Sequence, residues 1–318
     1  MGDTAEQVVG DAAAQQARRG ARGAVQDAAT RQVRSFNRSV TQRIGALNDE
    51  YLARGRPLGA SRVLWEIGAD GTDLRSLRAR LDLDSGYLSR LVQTLQRDGL
   101  VAVAPGAGDK RVRTVRLTEA GRAERDVLDR RSDELAASLL VSLSDVQRDR
   151  LVEAMGVVER LLTAGLVHID VEEPASAAAR FCLGSYFAEL DTRFDAGFDP
   201  SRSISADVEE LTEPAGLLLV ARLRGEPIGC GALKLHGREP AEIKRMWVAP
   251  SARGLGVGRR ILSELEERAH RRGVGLLRLE TNRTLKEAGG LYRSAGYVEV
   301  EAFNDEPYAH HWFEKRLT

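Results

Sequence analysis

Apolar side chains recur every three or four positions through most of residues 30–168. After that they alternate with polar ones in short runs set between helical stretches. Those periods, about 3.6 and 2.0 residues, separate amphipathic helix from half-buried strand. The first region predicts helices over VRSFNRSVTQRIGALNDEYLARG, SRVLWEIGADG, DLRSLRARLDL and DSGYLSRLVQTLQRDG, with Asp73 and Ser85 as N-caps. LVAVAP and RVRTVRLT are alternating runs joined by GAGDK, which predicts a hairpin. Two further helices follow, ending at Gly165. From 168 the order is strand (VHIDVEE), helix (PASAAARFCLGSYFAELDTRF), hairpin (GLLLVARLRGEPIGCGALKL), strand (AEIKRMWV) and a helix closed by Gly273. The rest reads as strand (LLRLETN), helix (TLKEAGGLYRSAG) and two strands (YVEVEAF, HHWFEKRL). This places a tail at 1–29 and domains at 30–166 and 168–318. The tail lacks periodicity and reads as disordered or frayed, though Arg18, Arg19 and Arg22 leave a DNA-touching arm open.

Composition changes this picture little. With 318 residues, 42% hydrophobic and 30% charged, the chain has enough apolar mass for two cores. Its formal net charge is zero, so any nucleic-acid argument must rest on local clustering. Cys182 and Cys230 lack metal-ligand spacing and read as reduced, buried thiols of a cytoplasmic protein. No metal site is expected. No apolar stretch approaches a membrane span, and the N-terminus has no apolar signal core.

In DSGYLSRLVQTLQRDG, Leu88, Leu91, Val92 and Leu95 follow helical spacing and should face a core. Ser85, Tyr87, Ser89, Arg90 and Gln93 are left outward. Such a face suits base edges and phosphates, and equally a merely solvated helix pair. The hairpin weighs toward the first reading. Lys110, Arg111, Arg113 and Arg116 crowd its tip and return strand, where basic charge fits a minor groove. This order, with LSRLVQTLQRDGLV, DKRVRTVRLTEAG and long flanking helices, resembles the MarR family of winged-helix regulators over roughly 30–165. The resemblance implies that Asp109 braces the wing and that Lys110, Arg111 and Arg113 meet DNA, with Arg111 in the minor groove. Ser85, Tyr87, Ser89 and Arg90 would meet the major groove, with Gln93 on the same DNA-binding face. It also implies a homodimer through the first and last helices, and hence a pseudo-palindromic operator in double-stranded DNA.

The stretch MWVAPSARGLGVGRRI joins a strand to a helix through glycines and arginines. A dinucleotide fingerprint fails because position 259 is Arg, and a P-loop fails because Gly258 is followed by Arg-Arg. What remains is Arg253-x-x-Gly256-x-Gly258, either a phosphate cradle at a helix N-terminus or a glycine-rich turn. Downstream, LETNRTLKEAGGLYRSAGY puts Asn282 at a strand end and Tyr292 in a short helix. The paired motifs, V-x-P-x-x-R-G-x-G-x-G and then T-N and L-Y-x-x-x-G-Y, resemble the GNAT family of N-acetyltransferases over 168–318. The resemblance implies acetyl-CoA between two splayed strands. Met246 and Val248 would pair with the pantetheine arm, and Asn282 would bond the cofactor arm. The N–H groups of Arg253, Gly254, Gly256, Val257 and Gly258, with Arg259 nearby, would cradle the pyrophosphate.

Amine attack on a thioester needs a neutral amine and a proton for the departing thiolate. Tyr292 is the candidate acid, otherwise a packed aromatic, and Glu242 could take the amine proton, otherwise a solvated strand carboxylate. Arg193, Phe194 and Phe198 could touch an acceptor or belong to a capping helix; His236, His310 and His311 have no evident role. The expected fold class is thus multidomain α+β. A winged helix-turn-helix, mostly α with a β-wing, precedes a GNAT α/β fold with a mixed, largely antiparallel sheet. The expected function is a bifunctional transcriptional regulator that acetylates an amine, on a small molecule or a protein. The alternative is a regulator whose second half senses acetyl-CoA or a metabolite without turnover.

Overall fold

The computed structural model describes residues 27–47, 51–105, 113–204, 206–237 and 240–317. The chain divides into two compact units, Met1–Leu143 and Ser144–Thr318. The helix between residues 145 and 165, which the change of sequence texture groups with the first domain, counts in this division with the second unit.

In the first unit, α1 covers 27–43, so helix begins inside the segment expected as tail. It stops well before residue 55, because Gly45 takes the left-handed conformation (φ 66°) and turns the chain out of register. Next come α2 (Leu58–Glu66), α3 (Leu74–Leu81) and α4 (Ser85–Arg97). Asp73 caps α3 by accepting from the N–H groups of Arg75 and Ser76, both at 2.9 Å. The cap of α4 is Asp84, not Ser85. Asp84 is extended and accepts from the Tyr87 N–H at 2.8 Å, which makes Ser85 the first helical residue. Strands β1 (Thr72–Asp73), β2 (Val101–Pro105) and β3 (Arg113–Leu117) form an antiparallel sheet in the order β1-β3-β2. The helix α5 (Glu119–Leu140) follows, capped by Thr118.

One core holds this unit together. Leu64, Leu77, Leu88, Leu95, Val115 and Leu128 are buried from five different elements, and burying each such side chain stabilises by about 1.5–3 kcal/mol. A buried carboxylate fastens the chain ahead of α2 to α5: Arg54 and Arg56 both grip Glu124, with Arg56 Nη1 at 2.5 Å.

The second unit opens with α6 (Asp145–Gly165), capped by a reciprocal pair, Ser144 and Gln147. It continues with β4 (Val167–Glu172), α7 (Ala177–Arg193), β5 (Gly216–Leu223), β6 (Glu226–Lys234) and β7 (Ala241–Val248). Then come α8 (Val257–Arg271), β8 (Leu276–Thr281), α9 (Lys286–Ser294), β9 (Val298–Val300) and β10 (His311–Arg316). The seven strands lie in the order β4-β5-β6-β7-β8-β10-β9. All neighbours are antiparallel except β7 and β8.

The alternation along β5 explains the layers. Leu217, Leu219 and Ala221 join the core that contains Val257, Ile261 and Leu265 of α8 and Tyr292 of α9. Leu218 and Val220 join the opposite core, with Ala179 and Cys182 of α7. A period of two on a strand covered on both faces requires apolar residues at every position, as β5 shows. Close packing has a sequence cost at Gly231, where an added Cβ would sit 2.5 Å from Ile261 Cγ2 and 2.6 Å from Met246 Sδ. Both cysteines are free and buried. Among the described residues no helix is long and apolar enough to cross a membrane.

Candidate functional site

The functional geometry of the second unit begins with the parallel pair at the sheet centre. β7 and β8 pair only at Ala241 with Leu277 and Glu242 with Arg278. Beyond those pairs β7 runs on to Val248 and β8 to Thr281 without further pairing, so the strands splay. A bulge helps to separate them. Between Lys244 and Trp247 two residues of β7 oppose the single Gly231 of β6, and Arg245 there is left-handed (φ 56°).

The splay opens a cleft of about 520 Å³. Its walls bring together Met246, Val248, Arg253, Gly254, Gly256, Val257, Gly258, Arg259 and Tyr292, nine of the eleven residues singled out in this half for catalysis and the cofactor. A smaller cavity of about 80 Å³ adjoins it and shares Tyr186, Leu190, Met246, Leu285, Ala288 and Tyr292. Asn282 lines this smaller cavity, as do Phe194 and Phe198. Its carboxamide is already engaged: Nδ2 donates to the Tyr308 carbonyl at 2.7 Å and Oδ1 accepts from the Thr284 N–H at 2.9 Å. One N–H and one lone pair of that amide remain for another partner. Glu242 stands on neither wall. Its Oε1 lies 3.1 Å from His236 Nε2 and its Oε2 2.8 Å from Lys244 Nζ. Burial opposes its ionisation, but Lys244, His236 and Lys234 prevail and hold its pKa below the usual carboxylate value.

The start of α8 is built differently from most other helix starts in the chain. Side chains of Asp73, Asp84, Thr118, Ser144 and Ser176 cap α3, α4, α5, α6 and α7. At α8 the cap is Gly256, left-handed at φ 75°, and no side chain bonds the first N–H groups. Those donors and the positive end of the helix dipole therefore face the large cleft, a ready anion site. Gly258 is close-packed there, since a Cβ would touch Leu291 and Val248 at 3.4 and 3.6 Å. The donor set thus fits a pyrophosphate. Arg253 bonds the Val248 carbonyl at 3.1 Å and the Glu189 carboxylate at 2.7 Å, and Arg259 donates to Ser294 Oγ.

Tyr292 sits where the two cavities meet, only 5% exposed. Burial pushes its phenol well above the usual tyrosine range, aided by Tyr186 and Glu280, so it stays protonated. Burial likewise raises Tyr186 to about 12. Sequence reasoning missed the charged floor of the small cavity. Lys244, 6% exposed in its side chain, bonds Glu280. Desolvation would discharge that lysine, but Glu280 and Glu242 outweigh it and keep its pKa above the ordinary value. The second oxygen of Glu280 is buried without a hydrogen-bond partner among the described residues. One signal was available: by the period of two, Glu280 shares a face with Asn282.

In the first unit, Ser85, Tyr87, Ser89, Arg90 and Gln93 are all exposed on α4, while Leu88, Leu91, Val92 and Leu95 are buried. Arg90 lies over the Tyr87 ring, 5.7 Å from its centroid. Arg113 and Arg116 are exposed on β3. Asp109, Lys110 and Arg111, and the arginines of the N-terminal tail, fall outside the described residues.

The family model described as "Acetyltransferase (GNAT) domain" matches residues 214–299, and that described as "MarR family" matches 55–112. Similar proteins include one named IAA acetyltransferase from Azospirillum brasilense. It is 38% identical over 121 residues, 38% of this chain and 78% of the relative. Another, named N-alpha-acetyltransferase RimI from Mycobacterium tuberculosis, is 34% identical over 142 residues, 44% of this chain and 84% of the relative. Among solved structures, a GNAT family acetyltransferase from Elizabethkingia anophelis with acetyl-CoA bound is 17% identical. That match covers 48% of this chain and 99% of the other, with a TM-score of 0.34. At such identity over most of those curated relatives, the chain belongs to the GNAT acetyltransferase family and carries a MarR-family domain ahead of its acetyltransferase domain.

Proposed function

We propose that the chain is a DNA-binding regulator whose GNAT domain transfers an acetyl group from acetyl-CoA to an amine. The domains so understood are a MarR-like one over 30–166 and a GNAT-like one over 168–318. The observation that carries the catalytic reading is the junction of the two cavities. There a protonated phenol, Tyr292, and a carboxylate with an unpartnered oxygen, Glu280, line one space.

Acetyl-CoA supplies the thioester whose carbonyl carbon the amine attacks. The uncapped N–H groups of Val257 and Gly258, with Arg259, hold the pyrophosphate. Met246 and Val248 offer backbone groups to the pantetheine arm along the splayed edge of β7. Glu280 takes the amine proton on its free oxygen, while Lys244 on its other oxygen keeps the carboxylate in place. Glu242 acts from behind, fixing Lys244 against Glu280. As the N–C bond forms and the C–S bond breaks, Tyr292 Oη donates its proton to the departing sulfur.

Exposure of Ser85, Tyr87, Ser89, Arg90 and Gln93 on one side of α4, with Arg113 on β3, supports the reading of this surface as the DNA face. A homodimer is supported by α6, which buries none of its residues and leaves Val152, Met155, Leu161 and Leu162 more than half exposed. Leu162→Glu should then shift sedimentation from dimer to monomer.

The test of function is CoA release by the full chain over a panel of amines, with acetyl-CoA binding measured by calorimetry. Release with at least one amine supports transfer. Binding without release across the panel, with operator affinity that moves with acetyl-CoA, would favour a sensor; linkage then requires DNA to shift acetyl-CoA affinity by the same factor.

A further inference from the structure

The basic side chains around the two cavities are nearly all paired with carboxylates. On the large cleft, Arg193 pairs with Glu189 at 3.2 Å and Glu287 at 2.8 Å, and Arg253 pairs with Glu189. In the small cavity, Lys244 pairs with Glu242 and Glu280. Arg245 differs. It lines the small cavity, yet among the described residues no carboxylate pairs with it. Its guanidinium lies over the Phe187 ring, 5.1 Å from the centroid, and beside the Tyr186 hydroxyl. Arg245 is also the left-handed residue of the β7 bulge, a conformation that glycine would adopt with less strain. Strained residues concentrate where a side chain must be aimed.

A fork of five donors with no anion, lining the same small cavity as a carboxylate with a free oxygen, describes a receptor for a small zwitterion. We propose that the acceptor is an α-amino acid with a short side chain: Arg245 binds its carboxylate, and Glu280 receives its amine. Phe194, Phe198 and Tyr308 give the side chain an apolar wall, their rings packed at 4.8–5.9 Å. A volume of about 80 Å³ has room for on the order of five to eight water-sized groups, which suits alanine or serine and excludes a long peptide chain from the cavity itself. A peptide N-terminus has the amine but no carboxylate at that distance. The inference rests on the acetyltransferase reading, because it assigns the acceptor of that same site.

The experiment compares CoA release by the full chain with alanine and serine, their carboxamides, and ethylamine. The free amino acids should exceed the others in kcat/KM by at least about 100-fold, since an unmet guanidinium penalises an acceptor without the anion. In Arg245→Gln, and in Arg245→Asn, which tolerates left-handed backbone, the ratio of alanine to alaninamide should fall to near one, mainly through KM for alanine. Calorimetry with acetyl-CoA, giving a Kd within about threefold of wild type, shows that the cofactor cleft of each variant is intact. Carboxamides that react as fast as amino acids, or an unchanged ratio in both variants, would overturn this inference and leave acetyl transfer standing. No release with any amine overturns both.

Discussion

Replacing Tyr292 with Phe removes one oxygen and little else. The ring packs in a continuous core, with Tyr297 and Phe313 centroids each 6.0 Å away. A phenylalanine keeps those contacts, so the thermal midpoint should move by no more than about 4 °C, the shift of a change under 1 kcal/mol. In the proposed mechanism the lost function is the proton for the departing thiolate. Positioned acids contribute about 10²–10⁴ in rate, or roughly 2.7–5.4 kcal/mol of activation free energy at 1.36 kcal/mol per tenfold. Steady-state CoA release at saturating acetyl-CoA and acceptor should therefore show kcat reduced by at least about 100-fold. The Kd for acetyl-CoA should be unchanged, because the phosphate cradle lies at the start of α8 and not on this hydroxyl. The pH profile supplies a second reading. Burial raises the phenol's pKa above the ordinary value of 10.0, so Tyr292 stays protonated up to and beyond that pH. Any alkaline limb below pH 10 must come from another group and should persist in the residual activity of the variant. A turnover within twofold of wild type would refute the assignment, and so would a large loss of thermal stability with normal chemistry per folded molecule.

Gly256→Val forces a β-branched residue into φ 75°; at about 1–2 kcal/mol for that conformation, acetyl-CoA affinity measured by calorimetry should weaken by roughly 5–30-fold. Glu124→Gln should destabilise the first unit by about 1.5–3 kcal/mol in urea unfolding at neutral pH, because two guanidinium groups lose their charge-assisted partner. Hydrogen bonding from Arg54 lowers the pKa of Glu124 despite its burial, and Arg56 adds to the effect. Its contribution is therefore complete above the unfolded value of 4.5 and disappears as pH falls through the lower folded value; the glutamine variant should lose correspondingly less stability across that acid window. Arg90→Ala and Arg113→Ala should each weaken operator binding and reduce the slope of log K against log salt by about one where a phosphate contact is lost. An unchanged affinity and slope in both variants would remove α4 and β3 from the DNA face.

The layers were legible because the periods are clean. Leu88, Leu91, Val92 and Leu95 could only share one face of a helix, and all four are buried. The hairpin RGEP turn, the strand ending at Val248 and the helix closed by Gly273 appear where the alternation changes period. Boundaries were less legible where backbone chemistry competes. Gly45 stops α1 inside an amphipathic run, since the run records which face is apolar and not whether the helix continues. At α4, Asp84 and Ser85 are both good caps, and only the turn conformation decides between them.

The two cavities differ in legibility for a physical reason. The proposed cofactor cradle is made of backbone N–H groups at one helix start, so its residues are contiguous and glycine marks them: Gly254 and Gly256 are both left-handed. The proposed acceptor side is assembled from α7, β7, β8, α9 and the segments around Phe198 and Tyr308, with no local spacing to betray it. Lys244, Arg245 and Glu280 read in the chain as ordinary strand charges. Their meaning depends on the bulge opposite Gly231, because that extra residue reverses which side of β7 follows Lys244. Counting by two from Glu242 without the bulge puts Glu242, Lys244 and Met246 on one face and Arg245 on the other. With the bulge in place, Lys244, Arg245 and Met246 all reach the small cavity, while Glu242 remains behind Lys244. The unpaired residue therefore adds Arg245 to the wall that Lys244 and Met246 share, and in the proposed mechanism the amine proton falls to Glu280 on the neighbouring strand, because Glu242, ahead of the bulge, lines neither cavity.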